Sequence, residues 1–144
     1  MLASDVMCVY LATLMYNEPK DDGILGQTAC GLMVRNRVLA GWDGGDWVAA
    51  VRNYDKHTAN PPATPRALVF GDPIRDDKFR RVLAIATNIY SGFEKDITYG
   101  ALRCARLDQC GEEFAAKIVQ PKDPFTGLQL HPRVAQIGLR AFFK

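Results

Sequence analysis

Four glutamates are present in the 144-residue chain: Glu18, Glu94, Glu112 and Glu113. Glu112 and Glu113 adjoin one another and read as solvated side chains. Glu18 differs. It follows a strongly apolar stretch, close to Tyr16 and Pro19, where the chain must turn. A carboxyl held there by a buried helix would be partly desolvated, which disfavours its charged form and raises its pKa. A carboxylic acid that keeps its proton near neutral pH is what general-acid chemistry requires. On position alone the residue suits a capping or salt-bridged glutamate better than a catalytic acid, and both roles stay open. No second carboxylate pairs obviously with it. Asp21 and Asp22 read as helix caps, and Asp96 could approach only through the fold. His57 and His131 have no ligand-spaced partners, so neither reads as a metal site; no organic cofactor is expected either. Cys8 and Cys30 fall inside apolar helical runs and read as core thiols. Cys104 and Cys110 flank a short loop that a disulfide could close or leave open.

The elements that must position these groups follow from periodicity. Ser4 or Asp5 can cap a helix running to about Tyr16, apolar almost all round, and Pro19 ends it. Asp21 and Asp22, beside Gly23, predict a second helix from about Ile24 to Ala40. Leu25, Ala29, Leu32 and Met33 recur at helical spacing on it, and Gly41 is its stop. The same period lands on Asn36, which needs hydrogen-bond partners if that face stays buried. A short third helix opens at Asp46 and carries Trp47, Val48 and Val51. Asn53 to Asp72 contains Asn60, Pro61, Pro62, Pro65 and Gly71 and reads as a long irregular loop. Asp72 and Pro73 predict the cap and first residue of the next helix. Ile74, Phe79, Val82, Leu83, Ala86, Ile89 and Tyr90 would line its buried side, and Gly92 would close it. Beyond Asp96 the chain reads as irregular to extended, with Val134 to Phe143 the best strand. The expected architecture is α+β and mostly helical, with a small C-terminal β element, in one domain over residues 1–144.

Composition sets the outer bounds. Apolar residues make up 48% and charged residues 24%, which excludes wholesale disorder. No run approaches the roughly 18 to 20 apolar residues of a membrane span. A formal net charge of +2, without a basic helix or Arg-rich stripe, argues against a DNA-binding domain. Val6 to Tyr16 has the greasiness of a signal peptide, but no Lys or Arg precedes it and no small-residue cleavage pattern follows. It is expected to be a buried helix of a protein made in a cytoplasm without an export signal.

Three blocks, read together, carry a resemblance. The first is Tyr16-Asn17-Glu18-Pro19, then Gly26-Gln27 and an apolar helix ending in Asn36-Arg37-Val38. The second is Ile89-Tyr90-Ser91-Gly92 followed by Asp96-Ile97-Thr98-Tyr99-Gly100-Ala101-Leu102. The third is Ile137-Gly138 with Phe142-Phe143-Lys144. In this order they resemble the SleB-type cell-wall hydrolases, which include spore-cortex-lytic enzymes and lysozyme-like phage domains. The chain departs from that pattern at Ile97, where proline is usual, at Arg140, where histidine is usual, and over Tyr54 to Ala63.

The resemblance implies a lysozyme-like fold and cleavage of the β-1,4 bond between N-acetylmuramic acid and N-acetylglucosamine in peptidoglycan. In the family this is often a lytic transglycosylase reaction. Glu18 would protonate the leaving glycosidic oxygen and then accept the proton of the attacking muramoyl 6-hydroxyl, leaving a 1,6-anhydro sugar. One carboxyl acting twice needs no second acid, whereas most glycosidases use two. Thr98 would donate to a sugar or acetamido group, and Gly100 would allow close approach of the backbone. Tyr16 and Tyr99 would stack on sugar faces. Gln27 would orient Glu18 or a sugar hydroxyl, and Asn36 and Arg37 read as structural. The partner would be the glycan strand of the wall. A phage source would make the protein a released endolysin or a tail- or baseplate-associated lysin. The competing expectation is an inactive virion docking module that keeps the fold.

Overall fold

The computed structural model describes residues 3–17, 23–57, 68–106, 133–137 and 140–143. Over these the chain forms four α-helices: α1 (Ala3–Asn17), α2 (Gly23–Leu39), α3 (Trp47–Arg52) and α4 (Asp77–Tyr90). Three short strands follow: β1 (Arg103–Arg106), β2 (Arg133–Ile137) and β3 (Arg140–Phe143). The class is therefore α+β with helix in the majority. The four helices fall where periodicity puts them, to within a few residues at each end.

The core forms where α1, α2 and α4 meet. Leu11, Ala12, Leu14 and Met15 of α1 lie against Ala29, Leu32, Met33 and Val34 of α2, and against Phe79, Val82, Ala86 and Ile89 of α4. The α4 residues are spaced three, four and three apart, one stripe of a 3.6-residue period, so a single face is buried. Gly31 lets the three helices approach closely. A Cβ there would lie 2.6 Å from Met15 Sδ and 2.8 Å from Ile89 Cδ1. Cys8 and Cys30 are buried, as expected of core thiols. Val6 and Leu25, expected to face inward, lie on the exposed sides of α1 and α2.

The start of α4 differs from expectation. Asp72 and Pro73 do not open the helix; Asp76 caps it, accepting from the amides of Lys78 and Phe79 at 3.0 and 3.2 Å. Asp72 instead closes a turn of its own, its side chain accepting from the amide of Ile74 at 2.9 Å. Ile74 is consequently 84% exposed rather than buried. Two aspartates competed for one helix start. The winner is the one that sets Phe79, three residues on, facing the core.

The other end of α4 behaves as predicted. Gly92 follows the helix at φ +83°. Its amide donates to Ile89 O at 3.1 Å and that of Phe93 donates to Asn88 O at 2.8 Å, a Schellman closure. No atom lies within 4 Å of where a Cβ would stand. Gly92→Ala should therefore cost only the left-handed backbone strain, about 1 kcal/mol. A urea-unfolding midpoint reads that loss, and an unchanged midpoint would contradict it.

The expected single strand over Val134 to Phe143 is two strands, β2 and β3, separated by Gly138 and Leu139. The sheet order is β1-β3-β2, antiparallel throughout. Phe142 faces Cys104 of β1 on one side and Ala135 of β2 on the other. The amide of Leu102 donates to Phe143 O at 2.9 Å, extending the β1–β3 pairing by one residue. Phe142 also joins the helical core, with Cys104 of β1 and Ile137 of β2 packed against it, so the sheet is fastened to the helices.

Candidate functional site

A cleft of about 410 Å³ opens where the end of α1 meets the start of α2 and the first two turns of α4. Tyr16, Gly23, Ile24, Gln27, Lys78 and Arg81 line it. Tyr16 is fixed there from two sides. Its ring meets Phe79 edge to face, with centroids 5.4 Å apart. Its hydroxyl donates to Asp76 Oδ2 at 2.5 Å. That bond favours the neutral phenol and the ionised carboxylate, so it raises the Tyr16 pKa. The Asp76 pKa is lowered by the same bond first, and then by the amides of Phe79 and Lys78 and by the Lys78 charge, against opposing desolvation. Tyr16→Phe should accordingly move the Asp76 titration up towards the ordinary carboxylate range. Side-chain carboxyl NMR reads this directly, and an unmoved titration would mean that the contact does not form.

The next residue, Asn17, clamps the chain beside the cleft. Its Nδ2 donates to Thr13 O at 2.6 Å and to Val69 O at 2.8 Å. Its Oδ1 accepts from the Val69 amide at 3.2 Å. Segment 68–72 is thereby fastened to the end of α1. Glu18 follows Asn17 directly and lies outside the described residues, as do Asp21 and Asp22. In sequence, the expected acid is two residues from a tyrosine that lines the cleft.

A second polar assembly occupies the other end of α2. Asn36 Nδ2 donates to Asp96 Oδ2, Thr98 Oγ1 and Ala101 O at 3.0, 3.2 and 3.0 Å. Asp96 gathers the turn that follows it. Its Oδ1 accepts from the Thr98 amide and hydroxyl at 2.8 and 2.6 Å, and its Oδ2 accepts from the Gly100 amide at 2.8 Å. Burial acts to raise the Asp96 pKa, but the bonds from Thr98, Gly100 and Asn36 outweigh it and the net shift is downward. Arg37, almost fully buried, donates to Leu102 O at 2.7 Å and to Tyr54 O at 3.0 Å. Its guanidinium also lies 5.5 Å from the Trp42 ring centre and 5.2 Å from that of Tyr54.

This geometry divides the expected site residues into two groups. Tyr16 and Gln27 share the cleft. Thr98, Tyr99 and Gly100 do not line it, because Asn36 holds their turn nine residues along α2, about 13 Å of helix axis away. Thr98 is corrected on its own account as well. It is fully buried, and its one hydroxyl proton goes to Asp96, so it has none left for a sugar. Gly100 has φ +82° and serves the turn itself. Tyr99 is 67% exposed at φ +53°, its ring outside the core and away from the cleft. Asn36 and Arg37 are structural, as expected.

Comparison of the chain with family models finds no match, and neither do comparisons with curated proteins or with solved structures. The site is thus read from its own residues. Sequence reasoning missed Asp76, Lys78 and Arg81, all on the α4 side of the cleft. Periodicity could have found the last two. Lys78 and Arg81 are three apart and share a helix face that the apolar stripe leaves outside.

Proposed function

We propose that the chain is a peptidoglycan-cleaving glycosidase of lysozyme-like fold, with Glu18 as its acid. One observation carries the reading: the sequence blocks behind the family resemblance bond to one another. Asn36 and Arg37 of the first block hold Asp96, Thr98, Ala101 and Leu102 of the second. Leu102 in turn bonds Phe143 of the third. Residues some sixty positions apart in sequence are thereby held in one assembly. Tyr16, two positions before the expected acid in sequence, lines the cleft together with Gln27.

Lytic transglycosylation is favoured over hydrolysis because two candidate carboxylates among the described residues are committed elsewhere. Asp96, the residue open as a partner for Glu18, binds Thr98, Gly100 and Asn36 through its two oxygens. Asp76 caps α4 with one oxygen and receives Tyr16 with the other. A single carboxyl that first gives a proton and then takes one from the muramoyl 6-hydroxyl needs no such partner. Such an activity suits a phage lysin, whether released or carried on the virion. Digestion of purified peptidoglycan followed by mass spectrometry tests the proposal. Muropeptides ending in 1,6-anhydro sugars are expected; reducing ends would replace transglycosylation with hydrolysis, and an intact polymer would remove the enzymatic reading.

A further inference from the structure

The basic residues of α4 fall into two sets. Arg80 bonds outward, 2.8 Å from Asp77, with Nε on Pro73 O at 2.9 Å. Arg75, just before the helix, lies 3.9 Å from Asp72. Lys78 and Arg81 instead line the cleft, and no carboxylate among the described residues pairs with either. Of the two acids that precede Lys78, Asp76 is engaged by Tyr16 and by the helix amides, and Asp77 by Arg80. Lys78 also sits in the first turn of α4, where a cation opposes the helix dipole. Among the described residues, Gln27 and Ile24 share the cleft with these two cations, three residues apart, and bring it no counter-charge.

We propose that Lys78 and Arg81 recognise the carboxylates of the peptide stems, so that the cleft selects peptide-substituted glycan over a neutral sugar polymer. This rests on the peptidoglycan reading above and names which feature of that polymer is sensed. A bare N-acetylated glycan offers hydroxyls and amides but no charge to meet two cations. The stems attached through the lactyl groups carry free carboxylates, which a guanidinium holds bidentately and an ammonium as a point charge.

Binding, read by co-sedimentation, tests this without depending on cleavage. The probes are acid-washed peptidoglycan free of phosphodiester polymers and the same material with its carboxyls amidated. Wild type should bind the untreated polymer at least tenfold more tightly, with the preference shrinking as salt is raised. Lys78→Met with Arg81→Met should bring the ratio between the two polymers close to one, and Lys78→Arg with Arg81→Lys should restore it. Equal binding of both polymers by wild type overturns the proposal, as does a double variant that keeps the preference. A circular-dichroism spectrum of each variant shows whether it has folded. Should the double variant fail to fold, single substitutions and the wild-type ratio still decide the matter. Charge-selective binding without cleavage would retire the enzymatic reading and leave the recognition standing; cleavage without selectivity would do the reverse.

Discussion

Replacing Glu18 by glutamine is expected to lower the cleavage of purified peptidoglycan about a thousandfold, within the range that a positioned general acid–base contributes. The amide keeps the shape of the side chain and removes the exchangeable proton. In the proposed reaction the same group acts in both halves, so neither protonation of the leaving oxygen nor activation of the 6-hydroxyl survives. Cooperative unfolding should be almost unaffected, because the change adds no bulk. A zymogram scored beside a thermal melt separates the two effects: the clear zone disappears while the melting temperature holds. A variant that lyses as well as wild type would show that the acid lies elsewhere.

The largest stability effect should come from Asp96. Asp96→Ala deprives the Thr98 amide, the Thr98 hydroxyl, the Gly100 amide and one bond of Asn36 of their acceptor. Thr98 is fully buried and water cannot readily take over. Because the carboxylate is itself partly exposed, the loss should be about 3 kcal/mol rather than the sum of four charged hydrogen bonds. Asp96→Asn keeps an acceptor and should lose less. It should also change the pH dependence. The folded pKa of Asp96 is depressed, so its stabilisation is complete above the unfolded value near about 3.9 and drains away as pH falls through the lower folded value. Asp76 titrates in the same direction, so the informative quantity is the difference between wild type and Asp96→Asn. That difference should narrow below about pH 4 in denaturant melts. A constant difference down to the acid transition would mean that the turn does not depend on the charge.

The helices were legible because their burial is periodic. Phe79, Val82, Ala86 and Ile89 form a stripe, and Gly92 ends it with the conformation expected of a stop. Local rules failed where two local candidates competed. Asp72-Pro73 has the chemistry of a helix start, and only the packing of Phe79 chooses Asp76 over it. The tail shows the same limit. Ten residues with β-branched and aromatic character read as one strand, whereas pairing across Gly138 divides them between β2 and β3. At the candidate site, Tyr16 and Gln27 could be brought together from the sequence because they flank one turn. The fate of Thr98 could not. Whether a threonine after a short polar turn meets a sugar or a half-buried asparagine depends on Asn36, sixty-two positions earlier.

The order of the sheet has a consequence for how the molecule is assembled. The strand made last among the three sits in the middle, so β1 and β2 have no shared edge until residues 140–143 arrive. A nascent chain halted before that point would present two bare ladders of amides and carbonyls, open to pairing with neighbouring chains. It would also lack the ring of Phe142 that stitches sheet to helices. Completion of this small platform is thus a late, long-range event, whereas the contacts among α1, α2 and α4 can form earlier.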